Sequence, residues 1–207
     1  CIKVEPGHFI ETTVDGNFKL KQQPYWNVYT WYNLPKLNCS ENEAKESVEK
    51  LLVSACNYRM VADVPVGVFL SGGVDSSIIL SSVSQFKKCT DIDTFSIGFN
   101  ESSYDESTYA REVASHFGTN HHEKILTSSD ALNILENVLN KLDEPLGDPS
   151  IIPTYLLSKF ARDNVKVALG GDGADELFAG YDPFKALVPA AFYSSMVPSK
   201  LHNYFLD

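Results

Sequence analysis

From residue 66 onward, short apolar runs alternate with segments of helical length, and this alternation constrains the fold more than any other feature. VGVFL (66–70) precedes a helical stretch over about 74–86, TFSIGF (94–99) precedes one over 104–117 closed by Gly118, and HHEKIL (121–126) precedes one over 129–142. Residues 145–149 read as a loop, Ser150 is placed to cap a helix with Pro153 in its first turn, and VKVAL (165–169) reads as a last short strand. Strand–helix alternation of this kind requires crossover helices, and so predicts an α/β fold: a Rossmann-like, mostly parallel sheet with helices on both faces. Ligands of open sheets bind beyond the carboxyl ends of the strands. SGGVDSS (71–77) and GGDGADE (170–176) both follow a strand directly, so they are expected to face one pocket.

The beginning of the chain differs. HFIETTV and NFKLKQQ flank Asp15-Gly16, a dipeptide suited to the positive φ angles of a tight turn, and predict a short β-hairpin. The aromatic, proline-punctuated QQPYWNVYTWYNLPKLN reads as a linker lying on a surface. Ser40 and Glu43 then form a capping box, and Ala44, Val48, Leu51, Leu52 and Ala55 recur at helical spacing, so a helix is expected to about Met60, before Pro65. The expected division is 1–39 for the hairpin and linker and 40–207 for the main domain.

Composition narrows the function. The 207 residues are 43% hydrophobic and 21% charged, an ordinary folded composition, and their formal charge of −10 disfavours nucleic acid and anionic membrane surfaces. Cys1, Cys39, Cys56 and Cys89 are widely spaced and read as reduced thiols. With no long apolar run and a polar beginning, the reading is a cytoplasmic chain.

SGGVDSS has the form of a phosphate cradle. A strand turning through Gly72-Gly73 into a helix offers free backbone N–H groups and the positive end of the helix dipole. Both glycines are expected to take positive φ, and Ser71, Ser76 and Ser77 to add hydroxyl donors. The stretch lacks the lysine of a Walker A loop and does not match G-x-G-x-x-G. Asp75 within it is the anomaly, because two unit charges 4 Å apart repel by about 4 kcal/mol at an effective dielectric of 20. Either Asp75 caps the helix, or a divalent cation lies between it and a polyphosphate; Mg²⁺ is commonly held by one or two carboxylates together with substrate phosphates.

The motifs carry a resemblance. SGGVDSS resembles the SGGxDS signature of the N-type ATP pyrophosphatases, or PP-loop enzymes, which have the adenine nucleotide alpha hydrolase type of fold. ALGGDGADELFAGY resembles the second signature of the asparagine synthetases among them. DEPLGDPSIIPTYLLSKFAR, and PGHFIE followed by YW, resemble further family segments, the latter at the junction of glutaminase and synthetase domains. The resemblance implies that Ser71, Gly72, Gly73, Asp75 and Ser76 hold the pyrophosphate portion of ATP, with Mg²⁺ on Asp75 and Asp175. It places the adenosine end by Leu70, Ile97, Gly170 and Gly171, and Asp172 where the acceptor is positioned or activated. Helix capping remains the alternative for Asp175 and a structural turn for Asp172. Glu176 reads either as metal support or as a partner of a basic group, and Glu144 and Asp148 as weaker candidates for the pocket wall.

The resemblance further implies that aspartate is adenylated and amidated by ammonia from glutamine. It also implies a glutaminase domain and further helices outside these 207 residues, and it admits a homodimeric parent. Another carboxylate acceptor, a non-catalytic nucleotide-binding module and a nucleic-acid-modifying relative are the rivals. The sequence departs from the family pattern at Gly170, in place of serine, at Ala179, in place of glycine, and after Tyr181. His121 and His122 are expected to point to opposite faces of a strand, one buried and one exposed, with no catalytic role. Cys1, about five residues before PGH, reads as an ordinary cysteine.

Overall fold

The computed structural model describes residues 3–12, 20–100, 105–144 and 146–197. The chain divides into two compact units, Cys1–Lys45 and Glu46–Asp207.

In the first unit, β1 (His8–Thr12) and β2 (Leu20–Pro24) pair antiparallel, with His8 opposite Pro24 and Thr12 opposite Leu20. The expected Asp15-Gly16 turn lies outside the described residues. Tyr25 and Trp26 both donate backbone N–H to the Gly7 carbonyl, at 2.8 and 3.1 Å. The aromatic segment contains a short helix not expected from sequence, α1 (Val28–Tyr32), capped by Asn27, whose Oδ1 accepts from the Tyr29 amide at 2.8 Å.

α2 (Glu41–Met60) starts at the expected capping box: Glu43 Oε2 accepts from the Ser40 amide at 2.7 Å, and the Glu43 amide donates to Ser40 Oγ at 3.3 Å. Its apolar face differs from the expected one. Val48 and Leu51 are exposed, whereas Cys56 is buried and Met60 packs against the same core. Of the residues that met the periodic pattern, Leu52 and Ala55 are half-buried, so the helix is covered mainly through its second half.

The second unit is built on a four-stranded sheet, entirely parallel, in the order β5–β4–β3–β6. The strands are β3 (Val66–Phe69), β4 (Asp93–Phe99), β5 (Asn120–Leu126) and β6 (Val167–Leu169). β3 leads through α3 (Val74–Ser84) and a 3-10 turn (Cys89–Asp91) to β4, and α4 (Ser107–Phe117) leads to β5. α5 (Ser128–Leu139) and α6 (Ile151–Ala161) then return the chain to β6 on the other side of β3. The direction of strand addition therefore reverses between β3 and β6, and a crevice opens at such a switch point. Three short helices follow, α7 (Ala174–Phe178), α8 (Asp182–Lys185) and α9 (Leu187–Met196).

Alternation along the strands supplies two cores. Val68 and Leu70 join Cys56, Leu80, Val83, Ile92, Ala110 and Ala114 beneath α2, α3 and α4, while Phe95 packs with Phe69, Leu157, Phe160, Ala161 and Val165 under α6. Gly67 is dictated by the second core, since a Cβ there would lie 2.7 Å from the Phe95 ring.

The two histidines on β5 do face opposite sides, but both are half-buried, which corrects the expected split. His121 Nδ1 meets Thr94 Oγ1 at 2.9 Å, whereas His122 stacks on Phe95 with centroids 4.9 Å apart and meets Asp93 Oδ1 at 2.9 Å. Cys39, Cys56 and Cys89 are unbridged, and burial pushes the Cys56 thiol pKa up. Among the described residues no helix is long and apolar enough to cross a membrane.

Candidate functional site

β3 ends at Phe69, and the chain turns through residues 70–73 into α3. Gly72 has φ +84°, and a Cβ there would come within 2.5 Å of the Tyr109 and Ala110 backbone, so the approach of α4 demands a glycine. Gly73 has φ −68° and ψ 165°, ordinary extended backbone, and is the N-cap of α3. The expectation of positive φ at both glycines is thus corrected: only Gly72 adopts it.

The serine hydroxyls are already engaged. Ser76 Oγ donates to the Gly73 carbonyl at 3.2 Å and accepts from the Ser71 amide at 3.2 Å, Ser71 Oγ accepts from the Gly73 amide at 3.2 Å, and Ser77 Oγ donates to the Gly73 carbonyl at 2.7 Å. These bonds hold the loop in shape, in place of the free donors expected. What the turn offers an anion is the first amides of α3, which by helix geometry lack intrahelical partners. Asp75 is the second residue of the helix, and no side chain caps it, so Asp75 is not acting as a cap.

Opposite this turn, β6 ends at Leu169 and leads through residues 170–173 into α7. A Cβ on Gly171 would lie 2.9 Å from Asp75 Cβ and 3.0 Å from the Ser76 amide nitrogen, so the two glycine-rich loops touch. The Asp172 carboxylate folds over Gly170 into the space a Cβ would take there. Gly173, at φ +90°, starts α7 without a side-chain cap, so Asp175, in the first turn, is not a cap either.

Between the loops lies a cavity of about 550 Å³. Of the residues singled out from sequence, Leu70, Ser71, Asp75, Ser76, Ile97, Gly170, Gly171, Asp172 and Asp175 line it; Gly72 and Gly73 do not, and shape the turn from behind. Glu176 joins the wall, but Glu144 and Asp148 do not. Asp148 instead accepts from the Ser150 amide at 2.8 Å; the Ser150 side chain and then this amide hold its carboxyl below the usual range, and the expected Ser150 side-chain cap of the helix is not formed. Sequence reasoning missed Ser96 and Phe99 on β4, Glu106 at the start of α4 and Ala110 within it, Pro153, Thr154 and Leu157 on α6, and Tyr181. For Ser96 and Phe99 a signal existed, namely the carboxyl half of the central strand.

The wall is acidic. Asp75, Glu106, Asp172, Asp175 and Glu176 line the cavity with no lysine, arginine or histidine among the described residues. Tyr181 Oη donates to Glu176 Oε1 at 2.6 Å. That bond holds the Glu176 carboxyl below its ordinary range and, with desolvation and the neighbouring carboxylates, pushes the Tyr181 phenol up to about 12. Such a wall repels a bare polyphosphate and accepts one accompanied by cations. No three His, Cys, Asp or Glu side chains among the described residues group closely enough to hold a metal by themselves. The donor set fits a cation shared with phosphate, which needs only one or two carboxylates.

A parallel sheet flanked by helices, with two glycine-rich loops enclosing an acidic cavity at its switch point, defines an α/β protein of the open-sheet class. The family model for asparagine synthase matches residues 47–205, and the chain belongs to that family. It is 36% identical over 183 residues to the glutamine-hydrolysing asparagine synthetase 1 of Bacillus subtilis, covering 88% of this chain and 28% of that protein. A Methanocaldococcus jannaschii protein provisionally named as a glutamine-hydrolysing asparagine synthetase is 42% identical over 155 residues, covering 74% of this chain and 30% of that protein. The chain thus spans less than a third of the length of these relatives. Among solved structures, an ammonia-dependent NAD synthetase from Campylobacter jejuni in complex with nitrate aligns with a TM-score of 0.45 and 16% identity, over 66% of this chain and 60% of that one.

Proposed function

We propose that this chain carries the ATP site of a ligase that activates the side-chain carboxylate of aspartate as an acyl-adenylate and converts it to asparagine. The observation that carries the reading is the contact of Gly171 with the Asp75 turn, which gives both motifs one acidic cavity. The first amides of α3 bind the phosphates, and Leu70, Ile97, Gly170 and Gly171 hold the adenosine. Asp75 and Asp175 are the residues that would hold Mg²⁺, which supplies neutralisation of the phosphate charge when bound. An aspartate carboxylate oxygen attacks the α-phosphorus, the bond to the bridging oxygen breaks, and pyrophosphate leaves with the electron pair. Ammonia then attacks the activated carbonyl carbon, AMP departs, and the nitrogen loses a proton to give the neutral amide. Asp172 positions the acceptor at the cavity mouth. In this proposal residues 1–39 end a glutaminase domain whose body lies outside these residues and which supplies the ammonia, and residues 40–207 belong to the synthetase domain; the setting is the cytoplasm.

Exchange of labelled pyrophosphate into ATP, with and without aspartate and with Mg²⁺ or a chelator, tests the reading on this chain and on its full-length parent. The expected result is exchange that requires aspartate and Mg²⁺ and falls at least about tenfold in Asp75→Asn, since the electrostatic term is of several kcal/mol. AMP release with other carboxylates but not aspartate would change the acceptor. ATP binding that ignores Mg²⁺ and yields no AMP would indicate a non-catalytic module.

A further inference from the structure

Ser96, Glu106 and Thr154 line the cavity outside both glycine-rich motifs, and of these Ser96 alone is buried. Ser96 sits on β4, one residue before Ile97, and is only 2% exposed, yet it is part of the cavity lining. Its hydroxyl is not left to rotate. His121, on the neighbouring strand β5, lies on the same face of the sheet and is bracketed by two β4 hydroxyls, Thr94 Oγ1 at 2.9 Å from Nδ1 and Ser96 Oγ at 3.2 Å from Nε2. Thr94 is itself tied to Thr119 Oγ1 at 2.9 Å. The strand pairing places Thr94 opposite His121, so the arrangement is built into the register.

We infer that Ser96 is a hydrogen-bonding contact for the nucleoside part of the bound nucleotide and that His121 is the residue that positions it. A neutral imidazole offers one donor and one acceptor, and with Thr94 and Thr119 completing the chain it fixes which way the Ser96 hydroxyl points. A serine oxygen has one proton and two lone pairs, so the bond to His121 leaves it capacity for a ligand. The phosphate-binding turn lies at the end of the adjacent strand β3, with Ser71 and Ser76 bonded to each other. Ser96, on β4 beside Ile97, therefore serves the ribose or base. Burial favours the neutral ring, pushing the His121 pKa down. The charged or titratable groups acting on it are Glu123, which opposes that shift, and His122 and Arg111, which add to it. A protonated ring would donate at both nitrogens and force both hydroxyls to accept, which reorganises the contact.

This inference rests on the ATP reading, and the test separates the two. Binding of Mg²⁺-ATP, AMP and Mg²⁺-pyrophosphate is measured for the wild type, Ser96→Ala, His121→Gln and the double variant, with melting temperature followed in parallel. Each single variant is expected to weaken ATP and AMP by about fivefold to tenfold, the worth of one hydrogen bond, and to leave pyrophosphate unchanged. The double variant should lose no more than the larger single loss, because the two groups act as one unit. ATP affinity of the wild type should also fall as pH drops through the native His121 pKa, which burial places below the ordinary histidine value, and that fall should vanish in His121→Gln. A folded Ser96→Ala protein that binds AMP as the wild type does overturns the inference and leaves the ATP site standing, as do additive losses in the double variant. A wild type that binds no ATP in the presence of Mg²⁺ overturns both. If His121→Gln fails to fold, Ser96→Ala decides the matter alone, since it removes a single oxygen.

Discussion

Ala179 closes α7 with φ +56°, a positive value in a residue that carries a Cβ, and among the described residues no other non-glycine does so. A left-handed conformation costs an L-residue about 1–2 kcal/mol and glycine far less. Ala179→Gly is therefore expected to raise stability by about 1 kcal/mol in denaturant unfolding without altering nucleotide binding. At Gly72 the sign is opposite. Alanine there meets both the positive φ and the α4 backbone, and Gly72→Ala should destabilise by about 2 kcal/mol or more. His121 carries a pH signature. Its folded pKa lies below the ordinary value because burial disfavours the charged ring. Between that lowered value and about 6.5 the unfolded chain binds a proton that the native state does not, so stability falls as pH drops through this window and is unaffected above it. His121→Gln should remove this slope from a pH series of unfolding curves.

At the scale of elements, VGVFL and TFSIGF were legible as β3 and β4 because those strands are buried on both faces and so read as compact runs, and HHEKIL appears as the edge strand β5. α4 was legible at its end, where Gly118 stands at φ +71° as the expected closing residue. α2 was legible in extent and only partly in orientation, with Leu52 and Ala55 half-buried but Val48 and Leu51 exposed, because periodicity identifies an apolar stripe without saying how far the supporting sheet extends beneath it. This gives a paired prediction. Leu80→Ala in α3, where the side chain is 0% exposed, should cost about 3 kcal/mol, while Leu51→Ala in α2, where it is 70% exposed, should stay within about 0.5 kcal/mol. α1, α8 and α9 were not expected, and α7 entered only through the capping alternative at Asp175; α1, α7 and α8 are of one turn or little more, too short for periodicity to register.

For the whole molecule the decisive quantity is charge. The chain carries −10 overall, and its cavity concentrates carboxylates without a compensating base among the described residues. Neither the cavity nor the surrounding field favours a trianionic or tetra-anionic ligand by itself. Mg²⁺-ATP should raise the melting temperature, in proportion to the logarithm of its concentration above the dissociation constant, whereas ATP with a chelator should not. Asp175→Asn should reduce that thermal shift while leaving the unliganded melting temperature nearly unchanged, since the carboxylate lies in the open wall of the cavity.

The amino-acid sequence by itself determined that a parallel sheet would form and that two glycine-rich turns would follow its strands, because hydrophobic period and turn chemistry are local properties of the chain. It also singled out Asp75, because an acidic residue in a glycine turn is unusual where an anion is expected, and it pointed to Asp172 and Asp175 through the resemblance of the second motif. Only the tertiary structure decided that the serine hydroxyls hold the loop, that Gly72 answers to α4, and that Ser96 and His121 stand behind the cavity. Those outcomes depend on which strands become neighbours and which helix comes to rest against which turn, and contacts between residues far apart in the chain leave no pattern in either stretch alone.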